Sequence, residues 1–213
     1  MKFRLAATAL SSTLAAALAS TLAFAAAPAL AAATVGQPAP AFSAVDTSGK
    51  TVSLADFKGK HVVLEWVNPG CPYVRRHYDS ANMQGTQKDA AAKGAVWLTI
   101  NSTAEDAGDY LQPAALQQWM SKQQAAATHT LMDADGKVGR AYGARTTPHM
   151  YVINPAGTLV YAGAIDDQPR ASLADTAKAT NHVKAALAES TAGKPVTVAT
   201  TRAYGCSIKY SSM

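Results

Sequence analysis

The chain has 213 residues, 48% of them hydrophobic, and a formal charge of +5, a size and apolar content that suit one globular domain with a substantial core. Its Lys and Arg residues are scattered, and without a dense basic block there is no support for tracking a nucleic-acid backbone. Beyond the N-terminal region no apolar stretch is long enough to cross a membrane.

Lys2 and Arg4 are followed by no charge until Asp46, and the Ala/Leu-rich run between them ends in small residues. A basic start, an apolar middle and a small-x-small site at Ala29-Leu30-Ala31 predict an export signal over residues 1–31, with a periplasmic or extracellular product beginning near Ala32 to Thr34. An uncleaved anchor is the alternative, but Ser11, Ser12, Thr13, Ser20 and Thr21 dilute the run and Pro28 interrupts it.

The next segment, "FSAVDTSGKTVSL", alternates apolar and polar residues around Thr47-Ser48-Gly49-Lys50 and predicts a β-hairpin. "HVVLEWV", His61 to Val67, is a β-branched apolar run and predicts a buried central strand. A helix is expected from Pro72 towards Ala92, with Gly85 as its weak point. "AVWLTINS" predicts another buried strand, and "QPAALQQWMSKQQAAA" carries apolar residues at helical spacing. A short strand "HTLMD" and a short helix in "ADGKVGRAYGA" follow. "HMYVINPAGTLVYAGAI" predicts a second hairpin turning at Asn154 to Gly157. "ASLADTAKATNHVKAALAE" reads as a final helix. Strands alternating with helices predict an α/β layer structure with a mixed sheet. The domain is expected over residues 32–193, with a β-rich tail over 194–213.

Two cysteines, Cys71 and Cys206, lie in the predicted mature region. In an oxidising compartment a disulfide between them is the default expectation. In the chain-entropy model a loop of that length is worth about 5 kcal/mol. The turn "NPG" should set Cys71 at the start of a helix, where the positive dipole end and free N–H groups favour the reactive thiolate. Arg75, four residues on, covers the same face and is expected to stabilise a thiolate or an incoming anion. For Arg76 a solvated charged face is an equal reading. Glu65 is an acid inside an apolar strand, so it is either buried with a raised pKa and suited to acid–base work, or paired at a solvated edge. The tail, with Tyr204 and Gly205 before Cys206 and Arg202 and Lys209 around it, is expected to fold back and present Cys206 to Cys71.

The leading hairpin, the "NPGCP" turn and the "TTPHMYVI" segment resemble the thioredoxin-like superfamily, specifically its redoxin branch with the alkyl hydroperoxide reductase and thiol-specific antioxidant proteins. The resemblance runs from Val35 to Glu189. It implies a thioredoxin-like α/β fold with a mixed central sheet flanked by helices. It also implies a cis proline at Pro148 beside Cys71, and a role for Thr147 in binding an extended peptide or small substrate. In thioredoxins an acid six residues before the nucleophilic cysteine exchanges protons with the thiols, the place of Glu65. Three family patterns are missing. Val74 stands where a C-x-x-C motif repeats the thiol, and Asn68 and Leu64 stand where peroxiredoxins carry the threonine and proline that organise peroxide. The copper-chaperone pair of close cysteines is absent, and the five histidines show no zinc-type spacing.

The resulting expectation is an exported thiol–disulfide oxidoreductase or thiol antioxidant. Cys71 would be its nucleophile and Cys206 its resolving thiol, tuned by Glu65 and Arg75. Its partners would be a thiol protein serving as reductant or oxidant, and a protein or small disulfide or peroxide substrate. No cofactor and no metal are implied, since no Gly-rich dinucleotide fingerprint follows a strand. The competing expectation is a non-catalytic binding module with a structural Cys71–Cys206 bond.

Overall fold

The computed structural model describes residues 32–212; the predicted export signal lies outside the described residues. The first hairpin forms as β1 (Ser43–Asp46) and β2 (Thr51–Ser53), with Gly49 at φ +88° closing its turn. The central strands are β3 (Val62–Trp66), β4 (Val96–Asn101) and β5 (His129–Met132). The second hairpin is β7 (His149–Ile153) and β8 (Leu159–Gly163). Together they make one sheet in the order β2-β1-β5-β4-β3-β7-β8. The pairs β3–β4 and β4–β5 are parallel and the other pairs antiparallel, so the mixed sheet and thioredoxin-like architecture that the resemblance implied are present.

Alternation along β3 divides the core in two. Val63 and Val67 face one layer, with Val74, Tyr78, Met83, Leu116, Met120, Val183 and Leu187. Val62, Leu64 and Trp66 face the other, with Leu98, Ile100, Leu131, Tyr142 and Tyr151. The first layer is covered by α1 (Pro72–Asp79), α2 (Asn82–Ala92), α3 (Pro113–Lys122) and α5 (His182–Thr191). The second is covered by α4 (Lys137–Tyr142). Among the described residues no helix is long and apolar enough to cross a membrane.

Two helix boundaries differ from the sequence expectation. The helix starting at Pro72 breaks at Ser80 and Ala81, not at Gly85, and Ala81 adopts φ +59°. The break is stitched by side chains: Asn82 Nδ2 sits 2.9 Å from His77 Nδ1, and Ser80 Oγ donates to the His77 carbonyl at 3.3 Å. Gly85 sits inside α2, and a side chain there would meet open space, so no packing contact requires the glycine. The final helix starts only at His182, where the Asn181 side chain caps the Lys184 N–H at 2.9 Å. Asn is a strong N-cap, whereas the polar stretch before it holds only a single 3₁₀ turn at Thr176–Lys178.

The tail runs back across the domain. The Thr201 N–H donates to the Ala162 carbonyl, the Ala162 N–H donates to the Ala199 carbonyl, and the Thr201 hydroxyl accepts from the Ala164 N–H at 2.9 Å. The tail ends in β9 (Cys206–Ser207), antiparallel to β6 (Thr146–Thr147), with Cys206 opposite Thr147.

Candidate functional site

The turn between β3 and α1 is built by Asn68. Its Oδ1 accepts from the Gly70 N–H at 2.7 Å, and its carbonyl accepts from the Cys71 N–H at 2.9 Å. Its Nδ2 donates to Thr103 Oγ1 and to Asp109 Oδ2, both at 3.0 Å. A side chain at position 70 would press on Asn68 Oδ1 at 3.0 Å and Asp109 Oδ2 at 3.3 Å, so the glycine is required by the close packing of this turn. Cys71 is then the N-cap of α1 and Pro72 its first residue, a position where a missing N–H costs nothing. The first-turn N–H groups have no intrahelical acceptor, which leaves them able to stabilise negative charge on the sulfur.

Cys71 is 2% exposed. Its Sγ donates to the Thr147 carbonyl at 3.0 Å, and the Thr147-Pro148 peptide is cis. Because β9 pairs with β6, Cys206 lies opposite Thr147 and packs against the Cys71 layer. Both thiols are free and Cys206 is half-buried. Burial pushes the Cys206 thiol up to about 12, helped by its hydrogen bond to Cys71 and by charge on Cys71, while Lys209 acts in the opposite direction. Val74, at the position of the absent second thiol of a C-x-x-C motif, is fully buried in the core.

Glu65 is fully buried. Its carboxyl accepts from Trp97 Nε1 at 2.8 Å, Tyr78 Oη at 2.9 Å, Gln87 Nε2 at 3.2 Å and Thr99 Oγ1 at 3.2 Å. Burial raises its pKa, and these donors only partly offset the effect. The solvated-edge alternative for Glu65 is therefore excluded. Neither sulfur is among its hydrogen-bond partners. Its link to α1 runs through Tyr78. Arg75 is exposed and its Nε donates to the Pro69 carbonyl at 2.8 Å, so it braces the turn that carries Cys71.

Three residues that the sequence reading passed over, and one it left open, complete the neighbourhood. Arg76, read equally well as a solvated side chain, is half-buried and donates to the Pro169 and Ala171 carbonyls and to Tyr204 Oη. Its guanidinium lies 5.9 Å from the Tyr73 ring and 5.6 Å from the Tyr204 ring. His77 and Asp166 are buried beneath it. Arg76 and His77 stand in the last turn of the short α1, where a cation also suits the helix dipole, so local sequence did not demand a tertiary partner for Arg76. Around Cys206, Lys209 pairs with Asp109 at 2.7 Å, whereas Arg202 is exposed.

A model of the AhpC/TSA family matches residues 35–162. The thiol-disulfide oxidoreductase ResA of Bacillus subtilis is 26% identical over 132 residues, which are 59% of this chain and 64% of that protein, so the match spans less than two thirds of the relative's length. Among solved structures, a hypothetical protein from Sinorhizobium meliloti is 25% identical with a TM-score of 0.74, over 86% of this chain and 98% of the other. An uncharacterized conserved protein from Geobacillus kaustophilus is 26% identical with a TM-score of 0.74, over 84% and 94%.

Proposed function

The chain belongs to the AhpC/TSA family of thioredoxin-like proteins, and on that premise we propose that it is an exported thiol–disulfide oxidoreductase with Cys71 as nucleophile and Cys206 as resolving thiol. The observation that carries this reading is the pairing of β9 with β6, which sets Cys206 across from Thr147, the residue whose carbonyl accepts from Cys71.

In the first step the Cys71 thiolate attacks one sulfur of a substrate disulfide. A new S–S bond joins Cys71 to the substrate, and the other substrate sulfur leaves as thiolate and takes a proton from water. Cys206, held at about 12 partly by the hydrogen bond and charge of Cys71, loses both influences once Cys71 is bonded. Lys209 still favours its thiolate. Burial, the largest cause, remains, so formation of the mixed disulfide eases deprotonation of Cys206 only in part. Cys206 then attacks the Cys71 sulfur, closes the internal disulfide and expels the second substrate thiolate. An external thiol protein returns the pair to the reduced state. Thr147 and Pro148 line the place where substrate meets Cys71, and Arg75 and Glu65 hold α1 and its turn in position through Pro69 and Tyr78. A peroxide would take the same route through a sulfenic acid, an antioxidant variant of the reaction.

The test is a Cys206→Ser variant incubated with a disulfide substrate. It should accumulate a mixed disulfide on Cys71 that the wild-type protein resolves. The competing binding-module reading is favoured if that adduct never forms and the wild-type disulfide has a potential below about −300 mV, the range of structural bonds. The anchoring of the tail at Thr201 and Tyr210 without any disulfide argues against a staple as its purpose.

A further inference from the structure

Resting on the redox reading above, we propose that Tyr204 is a positioning residue for the thiol chemistry. Held by Arg76, His77 and Asp166, its hydroxyl fixes where Cys206 stands relative to Cys71.

The phenol oxygen has one proton to give and two lone pairs to fill, and three polar groups surround it. Tyr204 Oη donates to Asp166 Oδ1 at 2.5 Å, accepts from Arg76 at 3.0 Å and lies 3.0 Å from His77 Nε2. Burial, with help from the Arg76 charge, holds His77 down at about 3, so its ring is neutral. Its Nδ1 faces the Asn82 amide at 2.9 Å, and its Nε2 lies between Tyr204 Oη at 3.0 Å and Arg76 Nη2 at 3.2 Å. Asp166 is 2% exposed, and its Oδ2 has no hydrogen-bond partner. Its Oδ1 depends on Tyr204 and the Gln168 N–H. Burying an aspartate, a histidine and part of an arginine is costly. A tail that needed only to be tucked in could do so with apolar contacts or with an isolated polar bond such as that from Tyr210 Oη to the Ala144 carbonyl.

The geometry relates this cluster to the sulfurs. Cys71 begins α1, and Arg76 and His77 lie five and six residues along it, on the order of 8–9 Å by the helical rise. Tyr204 and Cys206 are two residues apart in extended chain, about 7 Å. Seating Tyr204 on the second turn of α1 therefore returns Cys206 to the first. One short helix carries both the nucleophile and the anchor for its partner.

The experiment uses the full chain, equilibrated in glutathione redox buffers, with wild-type protein, Tyr204→Phe, Arg76→Ala and Arg76→Lys. Tyr204→Phe keeps the ring and removes the three hydroxyl contacts. It is expected to lower the equilibrium constant for closing the Cys71–Cys206 disulfide on the order of tenfold to a hundredfold, the scale set by loss of orientation. Arg76→Ala should fall similarly and Arg76→Lys should recover part of the loss by restoring one donor. The melting temperature of each reduced variant is measured alongside. A Tyr204→Phe protein that loses melting temperature but keeps the wild-type equilibrium constant overturns the proposal, because its hydroxyl is then only structural. If wild-type protein never joins Cys71 to Cys206, the redox reading itself fails. A wild-type bond that closes normally beside an unaffected variant removes the positioning role alone.

Discussion

Replacing Gly205 by alanine isolates the contact on which the site depends. Gly205 has φ +140°, a conformation that L side chains rarely adopt, and a Cβ there would lie 2.0 Å from the Thr147 carbonyl oxygen and 2.6 Å from its carbon. Thr147 has little freedom to retreat, because that oxygen accepts from Cys71 and the residue belongs to β6. The tail must therefore back away by roughly 1 Å or more, carrying the adjacent Cys206 with it. A misplacement of that size costs a reacting pair on the order of a hundredfold, or about 2.7 kcal/mol at about 1.4 kcal/mol per factor of ten. Disulfide formation tolerates only a narrow range of Cα and Cβ separations, so the loss should fall on bond closure. In a glutathione titration of Gly205→Ala, the equilibrium constant for the Cys71–Cys206 bond should drop by about a hundredfold. The reduced variant should remain folded, since Thr201, Tyr204 and Tyr210 still tie down the tail. An unchanged equilibrium constant would show that the tail does not need its close approach to Thr147, and the reasoning would fail.

Three further outcomes follow, two from buried polar groups and one from an exposed ion pair. His77 stays neutral in the folded chain down to about pH 3, while in the unfolded chain it takes a proton near pH 6.5. Its contribution to stability is therefore complete above about pH 6.5 and is lost as pH falls towards 3, at about 1.4 kcal/mol per unit. Urea midpoints between pH 7.5 and 5 should fall with pH, with a second share from His149, which burial likewise holds down at about 4, and His77→Gln should reduce the slope; equal slopes would refute the assignment. Glu65→Gln turns amide hydrogens towards some of the four donors that Glu65 satisfies and should cost about 1–3 kcal/mol of unfolding free energy, checked by denaturant titration. Lys209→Ala breaks an ion pair whose lysine side chain is 54% exposed. It should shift the same midpoint by less than about 1 kcal/mol, and a larger loss would mean that the pair holds the tail.

Much of the architecture was readable from local pattern. The alternation around Thr47 to Lys50, the apolar run ending at Val67 and the turn at Asn154 to Gly157 each specify a strand or hairpin through neighbours in the chain, and each formed as expected. Helix limits were less legible. Gly85 looked weaker than Ala81 by intrinsic propensity, yet the break fell at Ala81, where Asn82 could reach the buried His77. The bond spans only five residues, but the burial of His77 that gives it weight is tertiary.

The sequence by itself determined the chemistry available: one thiol after "NPG" at a helix start, no second thiol at Val74, and one further thiol in a β-rich tail. It also determined that Glu65 is an acid in an apolar strand. Only the tertiary structure decided how these meet. The pairing of β9 with β6 brings residues 147 and 206 together. Arg76 became a half-buried clamp because Tyr204 and the carbonyls of Pro169 and Ala171 converge on it. Local sequence encodes what a residue can donate, accept or attack. Which partner it finds depends on the closing of long loops, and that is decided by the packing of the whole sheet and its helices.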